Sequence, residues 1–378
     1  MKKTAIIVCC ILFCIESIGQ YKIRINIISL PKNFKTDSVF IAGSFNNWNP
    51  HHDDDRLSQD SNGNFFLYYP DTSPGFYEFK FTRGSWQKVE CKKDGMDIEN
   101  RTVNIQSDTV LNFSIAAWKD MFMEKPRQHT ASKNVHILDT AFYMPQLNRH
   151  RRIWIYLPPA YSSSHKKYPV LYMQDGQNLF DEYTAPFGEW GVDKALDTLS
   201  KRILNCIVVG IDNGESKRMN EYNPYDYERA GKGEGKEYID FLVKTLKPFI
   251  DKKYRTFSDA PHTFIAGSSM GGLISLYAIA AHPDIFGGAG VFSPALWTAP
   301  QMKEELNHNA ALIKGKIYFY AGGAESKNMV SDMQNIIDLL RHKSKAKIKV
   351  DIHKEGKHNE ANWRRQFPEF YKWMVRGL

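Results

Sequence analysis

Residues 264–274 read FIAGSSMGGLI, and the reading of this stretch decides the fold. Apolar residues run into Gly267-Ser268-Ser269-Met270-Gly271, and an apolar helical pattern follows at once. A serine at a strand-to-helix turn, flanked by glycines, is what a nucleophile elbow requires. The turn is sharp and strained, its neighbours must lack bulk, and the serine oxygen then projects above the sheet. The N–H of Met270 falls at the helix N-terminus, where it can stabilise an oxyanion. The competing role for Ser269 is an ordinary helix N-cap.

Working outward, the segment from residue 135 onward alternates apolar strands with helical patterns. VHILDT and RRIWIYLPPAY read as paired antiparallel strands. YPVLYMQDG, CIVVGIDNG, HTFIAGS, GGAGVFSP, KIYFYAGGAE and AKIKVDIHKEG read as further strands. Helices are expected around GVDKALDTLSK, over GKEYIDFLVKTLKPFIDKKY, from Gly271 to Ala281, around NMVSDMQNIIDLLRHK and at the C-terminus. Such alternation predicts a mostly parallel, doubly wound sheet with helices on both faces.

Residues 20–116 have a different texture. YKIRINIISL, DSVFIAGSF, GNFFLYYP, GFYEFKFTRG, RTVNIQ and TVLNFSIA are short alternating runs separated by turn residues. They predict a small antiparallel, immunoglobulin-like all-β sandwich. The segment 117–134 has neither periodicity and is expected to be a linker to a catalytic domain over 135–378. Residues 1–19 place two lysines before an apolar run and close on Ser17-Ile18-Gly19, the layout of a secretory signal peptide. The run from Thr4 to Ile15 is too short for a membrane span. The expectation is a secreted or periplasmic bacterial protein.

The 378 residues are 42% hydrophobic and 13% aromatic, ample for buried cores. Beyond the leader only Cys91 and Cys206 remain, placed in different domains, which makes neither a disulfide framework nor a zinc site. No metal or cofactor is expected. The formal charge of +8 is dispersed among acids, which excludes a dedicated nucleic-acid module and leaves a solvated basic surface.

A nucleophilic serine needs a base, and the base needs an acid to orient it. In a doubly wound hydrolase these follow in the order acid, then histidine, on loops at strand C-termini. Glu325 falls just past KIYFYA, and His358 falls between the last strand and the last helix. Asp332 competes with Glu325 from inside a helical pattern, and His353 and His282 compete with His358. The second oxyanion donor is expected after PVLYMQDG, at the N–H of Gln177, with Asp175 orienting that loop. Arg218 and Glu221 stand at helical spacing, which suggests a surface ion pair, with substrate recognition by Arg218 as the alternative.

Taken together, YPVLYMQDGQNLFD, GSSMGGLISLYAI, YAGGAE and GKHNEANWRRQFPEF resemble the esterase branch of the α/β-hydrolase fold. That branch includes feruloyl and acetylxylan esterases, enterochelin-type siderophore esterases and esterase D. The resemblance covers 135–378 and implies Ser269 as nucleophile, His358 as base, Glu325 as acid, and Gln177 and Met270 as oxyanion donors. Many relatives have Asp at the acid position and His where this chain has Gln174.

In the first domain, VFIAGSFNNWNP followed by GFYEFKFTRGSWQKVE resembles starch- and glycogen-binding sandwiches. The resemblance implies Trp48 and Trp86 as sugar-stacking platforms, with Asn46, Asn47 and Lys80 as polar partners. The alternatives are buried tryptophans or a scaffold without sugar binding. The expectation is a serine carboxylic-ester hydrolase acting on feruloyl or acetyl esters of carbohydrate, whether small or polymeric. A siderophore trilactone esterase, an acyltransferase, and a glycan-binding protein with an inactive hydrolase half remain open.

Overall fold

The computed structural model describes residues 20–31, 38–122 and 128–378; the expected leader, residues 1–19, lies outside them. The chain divides into two compact units, Met1–Lys125 and Pro126–Leu378. Among the described residues no helix is long and apolar enough to cross a membrane.

The first unit is all-β. Its strands are β1 (Tyr21–Ser29), β2 (Phe40–Gly43), β3 (Ser58–Gln59), β4 (Phe65–Thr72), β5 (Gly75–Thr82), β6 (Glu90–Cys91), β7 (Arg101–Ile105), β8 (Thr109–Ser114) and β9 (Ala117–Trp118). They form sheets of order β3-β4-β1-β8, β2-β5-β7 and β6-β9. The alternation seen in the sequence places Ile23, Ile25 and Ile27 of β1 in one apolar cluster with Ile41, Phe79, Phe81 and Ile105 of the second sheet. One expectation needs correcting: β1 and β8 run parallel, with Ile25 opposite Leu111. The sheet is therefore mixed, because its first and last strands lie side by side rather than joined by a hairpin.

The expected linker also changes. Ala117 and Trp118 pair with Cys91 and Glu90, and Trp118 is buried in the first unit's core. At the other end, His129 Nδ1 lies 2.7 Å from Asp181 Oδ2, and the Thr130 N–H donates to Asp181 Oδ1 at 2.9 Å. An indole to bury and a carboxylate to satisfy tie both ends of 117–134 to their own units. Residues 123–127 lie outside the described set.

In the second unit the strands are β10 (Val135–Met144), β11 (Arg149–Tyr156), β12 (Val170–Gln174), β13 (Ile207–Ile211), β14 (Thr263–Ser268), β15 (Gly288–Phe292), β16 (Lys316–Gly322) and β17 (Lys347–His353). The helices are α1 (Val192–Leu199), α2 (Arg218–Glu221), α3 (Gly235–Phe241), α4 (Lys247–Lys253), α5 (Met270–Ala281), α6 (Met302–Asn309), α7 (Met329–Lys343) and α8 (Glu360–Met374). The sheet order is β10-β11-β13-β12-β14-β15-β16-β17. The pairs β10–β11 and β11–β13 are antiparallel, and the rest run parallel. This is an α/β-hydrolase-like fold. The short helix α6, over MKEELNHN, had no strong apolar stripe to announce it.

Both faces of the sheet are covered. Val170 and Tyr172 of β12 point into one apolar cluster, and Leu171 and Met173 into the other. Each such fully buried aliphatic side chain contributes roughly 1.5–3 kcal/mol. Helix α5 is apolar all round, and its residues from Met270 to Ala280 are buried. The helix expected over GKEYIDFLVKTLKPFIDKKY contains Pro248, which lacks an N–H. It is accommodated by a π-helical turn, Leu242–Leu246, ahead of α4, whose first turn holds the proline. Because the chain leaves β12 toward β13 and then returns to the other side of β12 as β14, the strand order reverses there. The crevice beyond those strand ends is where ligands bind in such sheets.

Candidate active site

The loops that follow β12 and β14 meet at that reversal. After β14 the backbone turns at Ser269 with φ 57° and ψ −120°, a strained conformation for a residue with a Cβ. The turn is tight because glycines allow it. A Cβ on Gly267 would come 2.8 Å from the backbone of Gly271 and 2.9 Å from Gln174. The Ser269 side chain makes no capping bond to α5, so the competing N-cap role is unfilled. Met270 is the first residue of α5, where N–H groups lack intrahelical partners.

Beyond β16, Glu325 carries a fully buried side chain. Its Oε1 accepts from the Gly322 N–H at 2.6 Å and from the Ser293 hydroxyl at 2.6 Å. Its Oε2 lies 2.8 Å from His358 Nδ1. The imidazole is 37% exposed and stands edge-on to Trp363, with ring centroids 5.0 Å apart. Trp363 in turn donates its Nε1–H to Ser293 Oγ at 3.0 Å. Of the rivals, Asp332 lies in the first turn of α7, His282 caps the end of α5, and the His353 ring packs against Tyr320. Neither Ser293 nor Trp363 stood out in the sequence. The only clue was the small residue following strand β15 in GVFSP, on the face that carries the other loops.

Asp175, Gly176 and Gln177 follow β12. Asp175 adopts a left-handed conformation with φ 57°, and a 3-10 turn spans Gly176–Asn178. Asn213, beyond β13, holds this loop from two sides. Its Nδ2 donates to Asp175 Oδ1 at 2.8 Å, and its backbone N–H donates to Gln177 Oε1 at 3.2 Å. Gln174, buried beneath the elbow, accepts a hydrogen bond from the Tyr238 hydroxyl.

The ion pair expected between Arg218 and Glu221 does not form. Arg218 grips Asp175 through Nε at 2.7 Å and Nη2 at 2.9 Å. Glu221 is fully buried and accepts from Arg151 Nη2 at 2.7 Å on both oxygens and from Arg149 Nη1 at 2.9 Å. Helical spacing alone had suggested the pairing, but the side chains face different partners brought in by β11 and β12. Nearby, Glu360 opens α8. Burial pushes its carboxyl up to about 7, with the Asp175 charge adding to the effect.

In the first unit the Trp48 and Trp86 rings lie 6.3 Å apart at 38°, and both are half-buried rather than core residues. Asn46 is used internally: its Nδ2 donates to Ile41 O and to Asp55 Oδ2, each at 2.7 Å. Lys80 sits on β5 opposite Ala42. A cavity of about 690 Å³ in the same unit is lined by residues including Asn46, Asp55, Tyr69 and Tyr77, and neither tryptophan borders it. Cys91 and Cys206 are free and buried, in separate units. Burial pushes the Cys206 thiol up to about 12.

Residues 144–374 match the family Esterase, described as "Putative esterase". Uncharacterized protein YbbA of Bacillus subtilis (strain 168) is 24% identical over 59% of this chain and 92% of its own length. An endo-1,4-beta-xylanase/feruloyl esterase of Xylanibacter ruminicola is 24% identical over 51% of this chain and 25% of its own. The crystal structure of an enterochelin esterase from Shigella flexneri superposes with a TM-score of 0.53 at 16% identity, covering 93% of this chain and 91% of that one. At that identity the likeness is one of fold.

Proposed function

This chain belongs to the esterase family and is a carboxylic ester hydrolase, and on that premise we propose a Ser-His-Glu mechanism through an acyl-enzyme. Ser269 Oγ attacks the ester carbonyl while His358 accepts its proton. Glu325, held by Gly322 and Ser293, fixes the imidazole through Nδ1. The tetrahedral oxyanion rests on the N–H groups of Gln177 and Met270. The C–O bond to the alcohol then breaks, and His358 returns the proton to the leaving oxygen. Water, deprotonated by His358, attacks the acyl carbon and releases the acid, and Ser269 regains its proton. The observation that carries this reading is the 2.8 Å contact between His358 and Glu325 on the loop face that also bears the strained Ser269.

The favoured substrate is a feruloyl or acetyl ester of a carbohydrate. The feruloyl-esterase relative and the half-buried Trp48–Trp86 pair support it. In this reading residues 1–19 direct export to the periplasm or medium, and the first unit, an immunoglobulin-like sandwich, contacts glycan through the two tryptophans. A second reading, hydrolysis of a catecholate trilactone, is favoured by one observation: a chain of similar fold over both units bears the name enterochelin esterase.

The test is hydrolysis of p-nitrophenyl acetate, methyl ferulate and a catecholate trilactone by the mature protein and by Ser269→Ala. Loss of several orders of magnitude in the variant is expected. Equal activity of the two proteins removes the mechanism, and turnover of the trilactone alone selects the second reading. Affinity electrophoresis in glycogen or xylan, with Trp48→Ala as control, tests the glycan contact. N-terminal sequencing of the protein recovered from cell fractions tests export.

A further inference from the structure

We infer that Trp297, backed by Tyr227, is the stacking wall that selects ring-bearing esters. This rests on the serine-esterase reading above and assigns the part of the site that meets the substrate's ring. After β15 the chain forms a 3-10 turn, Leu296–Thr298, and both sides of that turn are pinned to the elbow. The Ala295 N–H donates to the carbonyl of Ser269 at 3.1 Å. The Thr298 hydroxyl lies 3.5 Å from the sulfur of Met270 and donates to Ala295 O at 2.8 Å. Asn223 Nδ2 also holds the Thr298 carbonyl at 3.0 Å.

Leu296 and Thr298 are buried, yet Trp297 between them is 58% exposed. The indole is thus left open on a turn whose backbone is held on both sides. It stands one or two residues from atoms that touch the nucleophile and the oxyanion donor. Its ring meets Tyr227 edge to face, with centroids 5.8 Å apart at 80°. Tyr227 is itself fixed in a closed turn, donating its N–H to Gly231 O at 3.0 Å while accepting from Gly231 N at 2.7 Å. Asn220 Nδ2 braces that turn through Ala230 O at 2.7 Å. The result is an aromatic corner on a turn hydrogen-bonded to the Ser269 carbonyl, with its indole 58% exposed.

The chemistry such a corner recognises is a flat ring offering an apolar or π face. The ring can come from an aryl acyl group or from the pyranose of a sugar alcohol. An ester carrying no ring gains nothing from it. Because the wall contacts the ring rather than the reacting carbonyl, its removal acts on KM and leaves kcat nearly unchanged.

The experiment compares wild type, Trp297→Ala and Trp297→Phe on methyl ferulate, on an acetylated methyl xyloside and on methyl butyrate. About a tenfold loss in kcat/KM is expected for Trp297→Ala on ring-bearing esters, with methyl butyrate unaffected and Trp297→Phe restoring most of the loss. Whether methyl ferulate or the acetylated xyloside suffers more identifies the source of the ring. Equal losses on all three esters, or none on any, overturn the inference. Calorimetric binding of the same esters to Ser269→Ala, with and without Trp297→Ala, reads the wall without turnover. Binding of ring esters weakened tenfold by Trp297→Ala in that background sustains the wall even where the wild type proves inactive and the catalytic reading fails. Ring esters bound no better than methyl butyrate remove the wall itself.

Discussion

His358 Nδ1 lies 2.8 Å from Glu325 Oε2, while the other oxygen of that carboxylate is claimed by the Gly322 N–H and the Ser293 hydroxyl. The acid is therefore fixed on one side by backbone and hydroxyl donors and has one oxygen left for the imidazole. Such an arrangement favours a single orientation of the histidine ring.

Glu325→Gln keeps the shape but replaces an acceptor with an amide that can present its NH2 to Nδ1. The ring then loses the tautomer that leaves Nε2 free to accept the serine proton. A fall in kcat of roughly a hundredfold to ten-thousandfold is expected, with a small change in KM, measured by steady-state hydrolysis of p-nitrophenyl acetate.

Ser293→Ala removes one donor from Glu325 and leaves the Trp363 Nε1–H without its partner. The unpaired buried indole costs about 1–2 kcal/mol, and the loosened acid lowers kcat about tenfold. Urea denaturation and hydrolysis kinetics on one preparation check both numbers. A stable variant with wild-type kcat would show that Gly322 alone fixes the acid.

Glu360 gives the protein a pH signature. Its carboxyl titrates near 4.5 in an unfolded chain and about 7 in the folded one, raised by burial. The folded state thus binds this proton more tightly. Its burial costs nothing below about pH 4.5, costs more as pH rises toward 7, and costs a constant amount above. The full difference is on the order of 3 kcal/mol. Glu360→Gln is expected to raise Tm at pH 8 and to leave it unchanged at pH 4.5. An equal shift at both pH values would mean the residue acts through packing.

Glu221 lies at the centre of a charge cluster, receiving Arg149 and Arg151 with no exposure of its own. A Cβ on Gly214 would come 2.5 Å from Glu221 Oε2, so the carboxylate sits directly under the loop that leads to Arg218. Glu221→Gln leaves Arg151 without its counter-charge, while Arg149 keeps its bidentate pair with Glu234 at 2.6 and 2.9 Å. A loss of about 2–3 kcal/mol is expected by thermal denaturation. A smaller loss would mean that the Asn213 carbonyl, which accepts from Arg151 at 2.9 Å, is enough to hold that guanidinium.

The α/β alternation from residue 135, the strand–serine–helix turn at Ser269 and the placing of Glu325 and His358 on loops beyond β16 and β17 were all legible in the amino-acid order. Each is written by local physics. Side-chain period distinguishes strand from helix, glycines mark the turn that admits close backbone approach, and loops after parallel strands fall on one face. The mixed first sheet, the partners of Arg218 and the contacts of Ser293, Trp363 and Trp297 were not legible. Arg218 meets Asp175 across 43 residues and Trp363 meets Ser293 across 70. Spacing along the chain says nothing about such pairs. They are selected when the sheet sets its strand order and the loops it carries compete for the same buried donors and acceptors, a choice made only in three dimensions.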